Sequence, residues 1–521
     1  MLKEINLLHQ QAQTHLNKGE YKQAHHCLIQ ILQQDKYFAD GYFLLAMIAI
    51  AHHNLDKSIA LIKQASVLSP ENSEYYAHLA KAHVLQNDHV EAKKQADIAQ
   101  DLKPTSALTW DTIGGVYSKV GLHKLAAQCF ESAVEKDNTN AEYFFNLGAS
   151  QKFIGNFALA RKSYNQCIAL APAHCKAHAA LTSLGDISQS NNHITTLKAL
   201  NATTLNSDDS LYIGHALARE FEALKDYQSA FEYLQRAKNK KLTELNYSIN
   251  SDKAMFSAIK QYFEKPNLNQ SGFGSDEAIF VVGMPRTGTT LVERILSQHS
   301  DVTSAGELQH FGLLLKTLSN STTNRVIDAE TVQTAKGIDF VELGKRYIAS
   351  TRTVTGNTAK FVDKMPLNVL YAGFILQALP KAKIVCLDRN PLDTIVSNFR
   401  QLFAVNYSYY NYAYELTTTA EFYLLFKDLM QTWLQLYPDN FYIVNYEKLV
   451  NDPETEAKKL IEFCGLSWQE ACLEINKNTA PVATASAVQV RSAINNKSIG
   501  NWKKYNLYLD GVKDILANGS N

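Results

Sequence analysis

The first third of the chain repeats itself every 34 residues, and no other feature narrows its fold as much. Trp110, Ile113, Gly114, Tyr117, Ala126, Phe130 and Ala133 set the pattern. One period later stand Phe144, Leu147, Gly148, Ala160, Tyr164, Cys167 and Pro172. One period earlier stand Tyr76, Leu79, Ala80, Ala92, Ala96, Ala99 and Pro104, and before them Tyr42, Leu45, Ala46, Ala65 and Pro70. A worn copy begins near Ile5, with Leu8, Ala12, Ala24 and Ile31. Small residues at fixed offsets let two helices of one unit pack closely, and large apolar residues fill the gaps. A proline near the end of the unit stops the second helix. One such unit cannot bury its apolar face alone, so units stack into a solenoid.

This spacing is identified as the tetratricopeptide signature. It weakens after His174 and returns near Leu211, with Leu217, Ala218, Ala230, Leu234 and Ala237. Ser188 to Asp209, rich in Asn, Ser and Thr, reads as a loop-bearing degenerate repeat. A helical segment is expected around Asp252 to Phe263, and Pro266 to Ser275 reads as a linker. The expected array covers 1–250, with its clearest repeats at 5–174 and degenerate ones at 175–245. A helical connector and linker fill 251–276. The array has two readings: it binds an acceptor protein or peptide on its concave face, or it scaffolds or dimerises the C-terminal half, giving a homodimer.

From Ile279 onward the period changes. Strand-like runs at Ala278–Val282, Lys360–Val362, Lys383–Leu387 and Phe441–Val444 alternate with helical stretches. That alternation predicts an α/β domain over 277–521 with a mainly parallel sheet, whose ligands bind at the carboxyl ends of the strands. The predicted fold class is thus multidomain, an all-α tetratricopeptide solenoid followed by an α/β, P-loop-like domain.

Charge excludes several classes of partner. Lys+Arg and Asp+Glu balance at 51 each, so no global field points to nucleic acid or an anionic membrane. No apolar run is long enough to span a bilayer, and the N-terminal residues lack the apolar core of a signal peptide. The seven cysteines are scattered and include no C-x-x-C pair, so they read as reduced core residues. A cytoplasmic protein is expected, with neither a nucleic-acid nor a membrane partner.

The chemistry begins at Ala278-Ile-Phe-Val-Val-Gly-Met-Pro-Arg-Thr-Gly-Thr-Thr-Leu-Val-Glu-Arg. A β-branched strand meets Gly283 and Pro285, then a cation, a glycine and two hydroxyls, and then a helical pattern. Unpaired N–H groups and the dipole at a helix start bind anions, and Arg286 adds a planar donor fork. The nucleoside-triphosphate loop needs Lys after its second glycine, and here Thr289 follows Gly288. The bland reading is an ordinary strand-turn-helix crossover with a chance arginine.

The run resembles the 5′-phosphosulfate-binding loop of sulfotransferases, which transfer a sulfuryl group from 3′-phosphoadenosine 5′-phosphosulfate (PAPS). Its P-R-T-G-T-T-L spelling, with Gly306-Glu307 after it, is similar to the tyrosylprotein sulfotransferase branch. The resemblance implies that Arg286, Thr287, Gly288, Thr289 and Thr290 hold the 5′-phosphate, with Arg286 also acting on the transferring group. It implies that Glu307, 21 residues beyond Arg286, is the general base. His310 and His299 are rivals, because other members use histidine. Lys364, in Phe361-Val-Asp-Lys-Met-Pro366, is implied to stabilise the leaving oxygen. Arg389 and Ser397 match the 3′-phosphate site, Tyr446 a nucleotide contact, and Arg400 is a plausible extra cation. In the C-terminal segment Ser486 matches a serine on the transferring group, and Gln489 starts a nucleotide lid. Arg491, Lys497, Trp502 and Lys503 are lid residues that accompany the nucleotide. A family lysine before the tryptophan is replaced here by Asn501, with Lys503 or Lys504 as substitutes. The aromatic run Tyr407–Tyr414 reads as a helix packed on the core rather than as an acceptor channel.

The implied reaction is sulfuryl transfer from PAPS to an acceptor hydroxyl, releasing the bisphosphate PAP. No metal is called for, because side-chain cations and a helix terminus supply the positive charge. Peptidyl tyrosine is the expected acceptor, with a saccharide or small phenol as the alternative. A reading of another class is a repeat adaptor with an inactive nucleotide domain.

Overall fold

A computed structural model of the chain describes residues 2–203, 205–264, 272–405, 408–478 and 493–519. The chain divides into two compact units, Met1–Gln151 and Lys152–Asn521. In the first, helices pair as the repeat predicts: Leu2–Asn17 with Tyr21–Gln34, Ala39–Ala51 with Leu55–Leu68, Ser73–Leu85 with His89–Asp101, and Ala107–Lys119 with His123–Lys136. Ala12, Ala24, Ala46, Ala65, Ala80, Ala92, Ala96, Ala99, Ala126 and Ala133 are all fully buried, which is why the pattern needs small residues there. A Cβ on Gly114 would lie 2.7 Å from the Phe130 ring, so the small and large positions of one repeat fit each other. The turns carry the period too. Gly19, His53, Asn87, Gly121 and Gly155 are spaced by 34 and all have positive φ, between 57° and 92°. Each turns the chain after the first helix of its unit, a role that favours Gly or Asn.

The second unit opens with helices Phe157–Leu170, Cys175–Thr182 and Ile194–Asn201. The last worn repeat follows as α1 (Ser207–Ala223) and α2 (Tyr227–Glu244), and then comes helix Ile249–Phe263. Asn206 and Asp226 cap α1 and α2 through their side chains. The helix expected around 252–263 is therefore present. Residues 265–271, which include the first part of the expected linker, lie outside the described residues.

The sheet has five parallel strands in the order β2-β3-β1-β4-β5. They are β1 (Ala278–Gly283), β2 (Val302–Gly306), β3 (Lys360–Asp363), β4 (Lys383–Asp388) and β5 (Phe441–Asn445). β1 is buried along its whole length. Its Phe280 and Val282 join one core, with Ile384 and Cys386 of β4. Ile279 and Val281 join the opposite core, with Val385 and Leu387. Alternation across a sheet covered on both faces explains the continuous apolar runs. Four strands match the sequence pattern. The fifth, β2, was not anticipated: Val-Thr-Ser-Ala-Gly is an edge strand with only two buried residues and a weak apolar signal.

The order places β1 centrally, with the chain leaving it toward β2 on one side and leaving β4 toward β5 on the other. The carboxyl ends of β1 and β4 therefore flank a topological switch point, where open α/β sheets bind ligands. The run Ser408–Tyr414 is a 3-10 helix, with Tyr412 and Tyr414 buried. It packs on the core as expected, and Tyr407 lies outside the described residues. All seven cysteines are buried free thiols. Among the described residues no helix is long and apolar enough to cross a membrane.

Candidate transfer site

The loop after β1 is held by its own atoms and by its neighbours. The Thr287 hydroxyl donates to the Met284 carbonyl at 2.7 Å, and the Asn398 amide donates to the Pro285 carbonyl at 2.8 Å. Arg286 sits at φ 67°, a left-handed conformation that costs a non-glycine residue on the order of 1 kcal/mol. Such strain persists where the surroundings over-determine it. Gly288 then opens α3 (Thr289–Ser297) at φ 108°. Its N-cap residue, Gly288, has no side chain to cap it, and the positive end of the helix dipole faces the loop. Thr287, Thr289 and Thr290 are buried beneath it.

A second cationic group closes over the loop from β4. Arg389 donates through Nη1 to the Arg286 carbonyl at 2.8 Å and through Nη2 to the Ser498 carbonyl at 2.6 Å. Its guanidinium lies 4.6 Å from the centre of the Tyr446 ring, and the Tyr446 hydroxyl meets Ser498 Oγ at 2.5 Å. Arg389 is 7% exposed, and its Nε is buried with no partner among the described residues. A buried donor left over in this way suits an anion that completes the site. Ser397 lies on α4 (Pro391–Phe399), the helix that follows Arg389. On the same helix Asp393 accepts from the Gly500 N–H at 2.7 Å and the Trp502 N–H at 3.0 Å. This carboxylate ties the Gly-Asn-Trp segment to α4.

The third group joins Glu307 and Lys364. Lys364 follows β3 with its side chain 1% exposed, and its ammonium bonds Glu307, whose side chain is 34% exposed. Glu293 Oε2 lies 3.9 Å from the same ammonium, and Ser304 Oγ donates to Glu293 Oε1 at 2.6 Å. The β2–β3 register shifts between Ser304 and Gly306, and the Lys364 N–H donates to the Gly306 carbonyl at 2.8 Å. A bulge at a strand end re-aims the next side chain, here Glu307. His299 accepts from the Asp301 N–H at Nδ1 (3.1 Å) and meets the Ser467 carbonyl at Nε2 (2.9 Å). Both of its nitrogens are committed, so it has no site for an acceptor proton. His310 Nδ1 pairs with Ser350 Oγ at 3.1 Å.

Burial pushes the carboxyl of Asp363, next to Lys364, up to about 7, against the donors Tyr347 Oη (2.7 Å) and Leu308 N (3.3 Å). A carboxyl raised in the folded state contributes stability that is fully present below its unfolded value, near 3.8, and lost as pH rises through about 7. Asp363→Asn should therefore flatten the fall in melting temperature between these pH values. A wild-type-minus-variant difference that does not change with pH would show the carboxyl to titrate alike in the folded and unfolded states.

The structure thus brings Arg286, Thr287, Gly288, Thr289, Thr290, Arg389 and Tyr446 to the ends of β1, β4 and β5, and Ser397 lies further along α4. Glu307 and Lys364 stand at the ends of β2 and β3. Trp502 is tied in through its backbone. Lys497 and Lys503 are exposed, and Lys504 lies 5.6 Å from the Tyr227 ring. Ser486, Gln489 and Arg491 lie outside the described residues. Sequence reasoning missed Glu293, Asp393, Asn398 and Ser498. Glu293 sits one helical turn past Thr289, a spacing that could have marked it; the others show only through contacts distant in sequence.

Residues 278–470 match the sulfotransferase family. The C-terminal part of the chain carries a sulfotransferase-family domain. Residues 141–174 match the tetratricopeptide repeat. An uncharacterised Aquifex aeolicus protein is 31% identical over 376 residues, covering 70% of this chain and 49% of that protein. The Drosophila melanogaster protein-tyrosine sulfotransferase is 23% identical over 269 residues, covering 47% of this chain and 50% of the fly protein. The chain thus spans about half the length of these two relatives. Among solved structures, the sulfotransferase domain of the curacin biosynthetic pathway aligns at 17% identity and a TM-score of 0.34. That alignment covers 48% of this chain and 99% of the curacin domain.

Proposed function

We propose that the protein transfers a sulfuryl group from PAPS to an acceptor hydroxyl. The observation that carries this reading is the arrangement at the switch point, with Arg389 bridging the loop after β1 and Ser498, and with Glu307 and Lys364 on the neighbouring strand ends. PAPS has two anionic ends, and the loop with α3 suits the 5′ end. Arg389, Ser397 and Tyr446 suit the 3′-phosphate. The donor brings a sulfuryl group joined to its 5′-phosphate through a bridging oxygen. Glu307 accepts the proton of the acceptor hydroxyl as the new S–O bond forms. The bridging S–O bond breaks with its electron pair left on PAP, and Lys364 and Arg286 offset that charge. Peptidyl tyrosine is the acceptor favoured by Glu307, by the fly relative and by the repeat array, which would present the acceptor protein. A saccharide or small phenol is the alternative acceptor.

Calorimetry tests the nucleotide site first. PAP should bind far more tightly than ATP or ADP, and Arg389→Ala should remove most of that affinity. Wild-type protein that binds no PAP would instead favour a repeat adaptor with an inactive domain. Labelled PAPS offered with tyrosine peptides, saccharides and phenols then identifies the acceptor class.

A further inference from the structure

A carboxylate that the transfer chemistry does not use is buried beside its lysine. Glu293 lies on α3, the helix that opens at the loop after β1, one turn past Thr289 and on the same face. Its side chain is 8% exposed, and that of Lys364 is 1% exposed. Oε2 stands 3.9 Å from the Lys364 ammonium, an ion-pair distance. Oε1 accepts from the Ser304 hydroxyl at 2.6 Å. Ser304 Oγ in turn accepts from the Gly306 N–H at 3.2 Å, which leaves its own proton for Glu293. The Gly306 carbonyl accepts from the Lys364 N–H at 2.8 Å. These contacts close a ring that runs from Glu293 through Ser304, Gly306 and the Lys364 backbone to the Lys364 ammonium and back. The ring joins α3 to the bulge that aims Glu307 and to the end of β3.

Two carboxylates thus serve one buried ammonium, and their work differs. Glu307 bonds it, but its side chain is 34% exposed, and it gives up its charge when it takes the acceptor's proton. A buried charge left without a counter-charge is strongly disfavoured. Asp363 is committed elsewhere: its Oδ1 accepts from the Leu308 N–H at 3.3 Å, and its Oδ2 from Tyr347 at 2.7 Å and Asn368 at 3.4 Å. Glu293 takes no part in the proton transfer, so its charge stays with the lysine through the step. With one bond to Glu307 and one ion pair to Glu293, an ammonium with three N–H donors can still meet a further oxygen.

We propose that Glu293 is a positioning residue that holds Lys364 in place while the ammonium exchanges Glu307 for the bridging oxygen of the donor. The inference rests on the sulfuryl-transfer reading and deepens it. As the acceptor oxygen bonds to sulfur, its proton passes to Glu307. The bridging S–O bond breaks, and its electron pair stays on PAP. A single negative charge thereby moves from Glu307 to PAP, and the Lys364–Glu293 pair keeps its charge throughout. The same helix that turns its N-terminus to the 5′ end of the donor then also fixes the lysine that meets the leaving oxygen.

The test uses the full chain, labelled PAPS and the acceptor class found by the screen. Glu293→Gln keeps the length of the side chain and can still accept from Ser304, but it removes the charge beside Lys364. It should slow single-turnover transfer by about tenfold or more and leave PAP affinity within about threefold of wild type, a split that marks a role in the step and not in binding. A packing role would lower the melting temperature and leave transfer unchanged, and that result overturns the proposal. Weaker PAP binding with an unchanged transfer rate overturns it too. If Glu293→Gln loses both stability and transfer, or does not fold, Glu293→Asp decides, because it restores the charge on a shorter arm. Transfer by the aspartate variant faster than by Lys364→Ala supports the proposal. An aspartate variant that is no faster, or that does not fold, overturns it. Wild-type protein that transfers nothing from PAPS sinks the underlying reading, whereas wild-type rates in Glu293→Gln beside a slowed Lys364→Ala sink this inference alone.

Discussion

Glu307→Gln should lower sulfuryl transfer by roughly 10²- to 10⁴-fold, the usual worth of a positioned general base, and leave PAP affinity within a few-fold of wild type. The substitution keeps the shape of the side chain. Its amide oxygen can still accept from Lys364, which bonds Glu307 in the structure. What disappears is the capacity to take a proton. Glu307 is the candidate because the bulge at Ser304/Gly306 aims it at the ends of β2 and β3, and because its side chain remains accessible while Lys364 is buried. Glu293 shares the ammonium at 3.9 Å but is itself only 8% exposed, so it is poorly placed to meet an acceptor. Single-turnover transfer with labelled PAPS separates chemistry from product release. Transfer in the variant within tenfold of wild type would remove Glu307 as the base. His310 would then be the next group to test.

Much of this site was legible before the structure, and the parts that were not share a cause. The phosphate loop, Lys364 and Arg389 each follow a buried strand, and a strand end followed by a polar group is a local pattern. The 34-residue period was equally local, and the positive-φ turns at Gly19, His53, Asn87, Gly121 and Gly155 show that it reaches the backbone. β2 escaped notice because an edge strand with two buried residues has almost no apolar signature. Asp393, Asn398 and Ser498 act through bonds to residues about a hundred positions away, as in Asn398 to Pro285 and Asp393 to Gly500. No window along the chain displays such a pairing. Sequence reasoning divided the chain by pattern at 250, whereas packing groups residues 152–263 in one compact unit with the sheet. Pattern reports what each helix resembles; burial decides what it packs on.

Gly288→Ala should be the most damaging single change in the nucleotide loop, lowering PAP affinity by at least about tenfold, or roughly 1.4 kcal/mol. Two effects coincide at this position. The backbone sits at φ 108°, where a side chain is strained. A Cβ would also lie 2.4 Å from Tyr446 Cδ2 and 2.8 Å from Cε2, well inside contact distance. The tyrosine cannot yield cheaply, since its hydroxyl is tied to Ser498 and its ring lies against Arg389. Moving it would disturb Arg389 and Ser498, so a change in the loop should be felt at the proposed 3′-phosphate site. Gly356→Ala supplies the control: it too has positive φ, 58°, but open space around the added Cβ. That variant should lose some stability to backbone strain and bind PAP normally. Adding Tyr446→Ala to Gly288→Ala relieves the clash and should recover melting temperature. It should not recover PAP affinity, because the ring beside Arg389 is then gone. Normal PAP binding by Gly288→Ala alone would mean that this loop does not cradle the nucleotide, and the two-site account of the donor would fall with it.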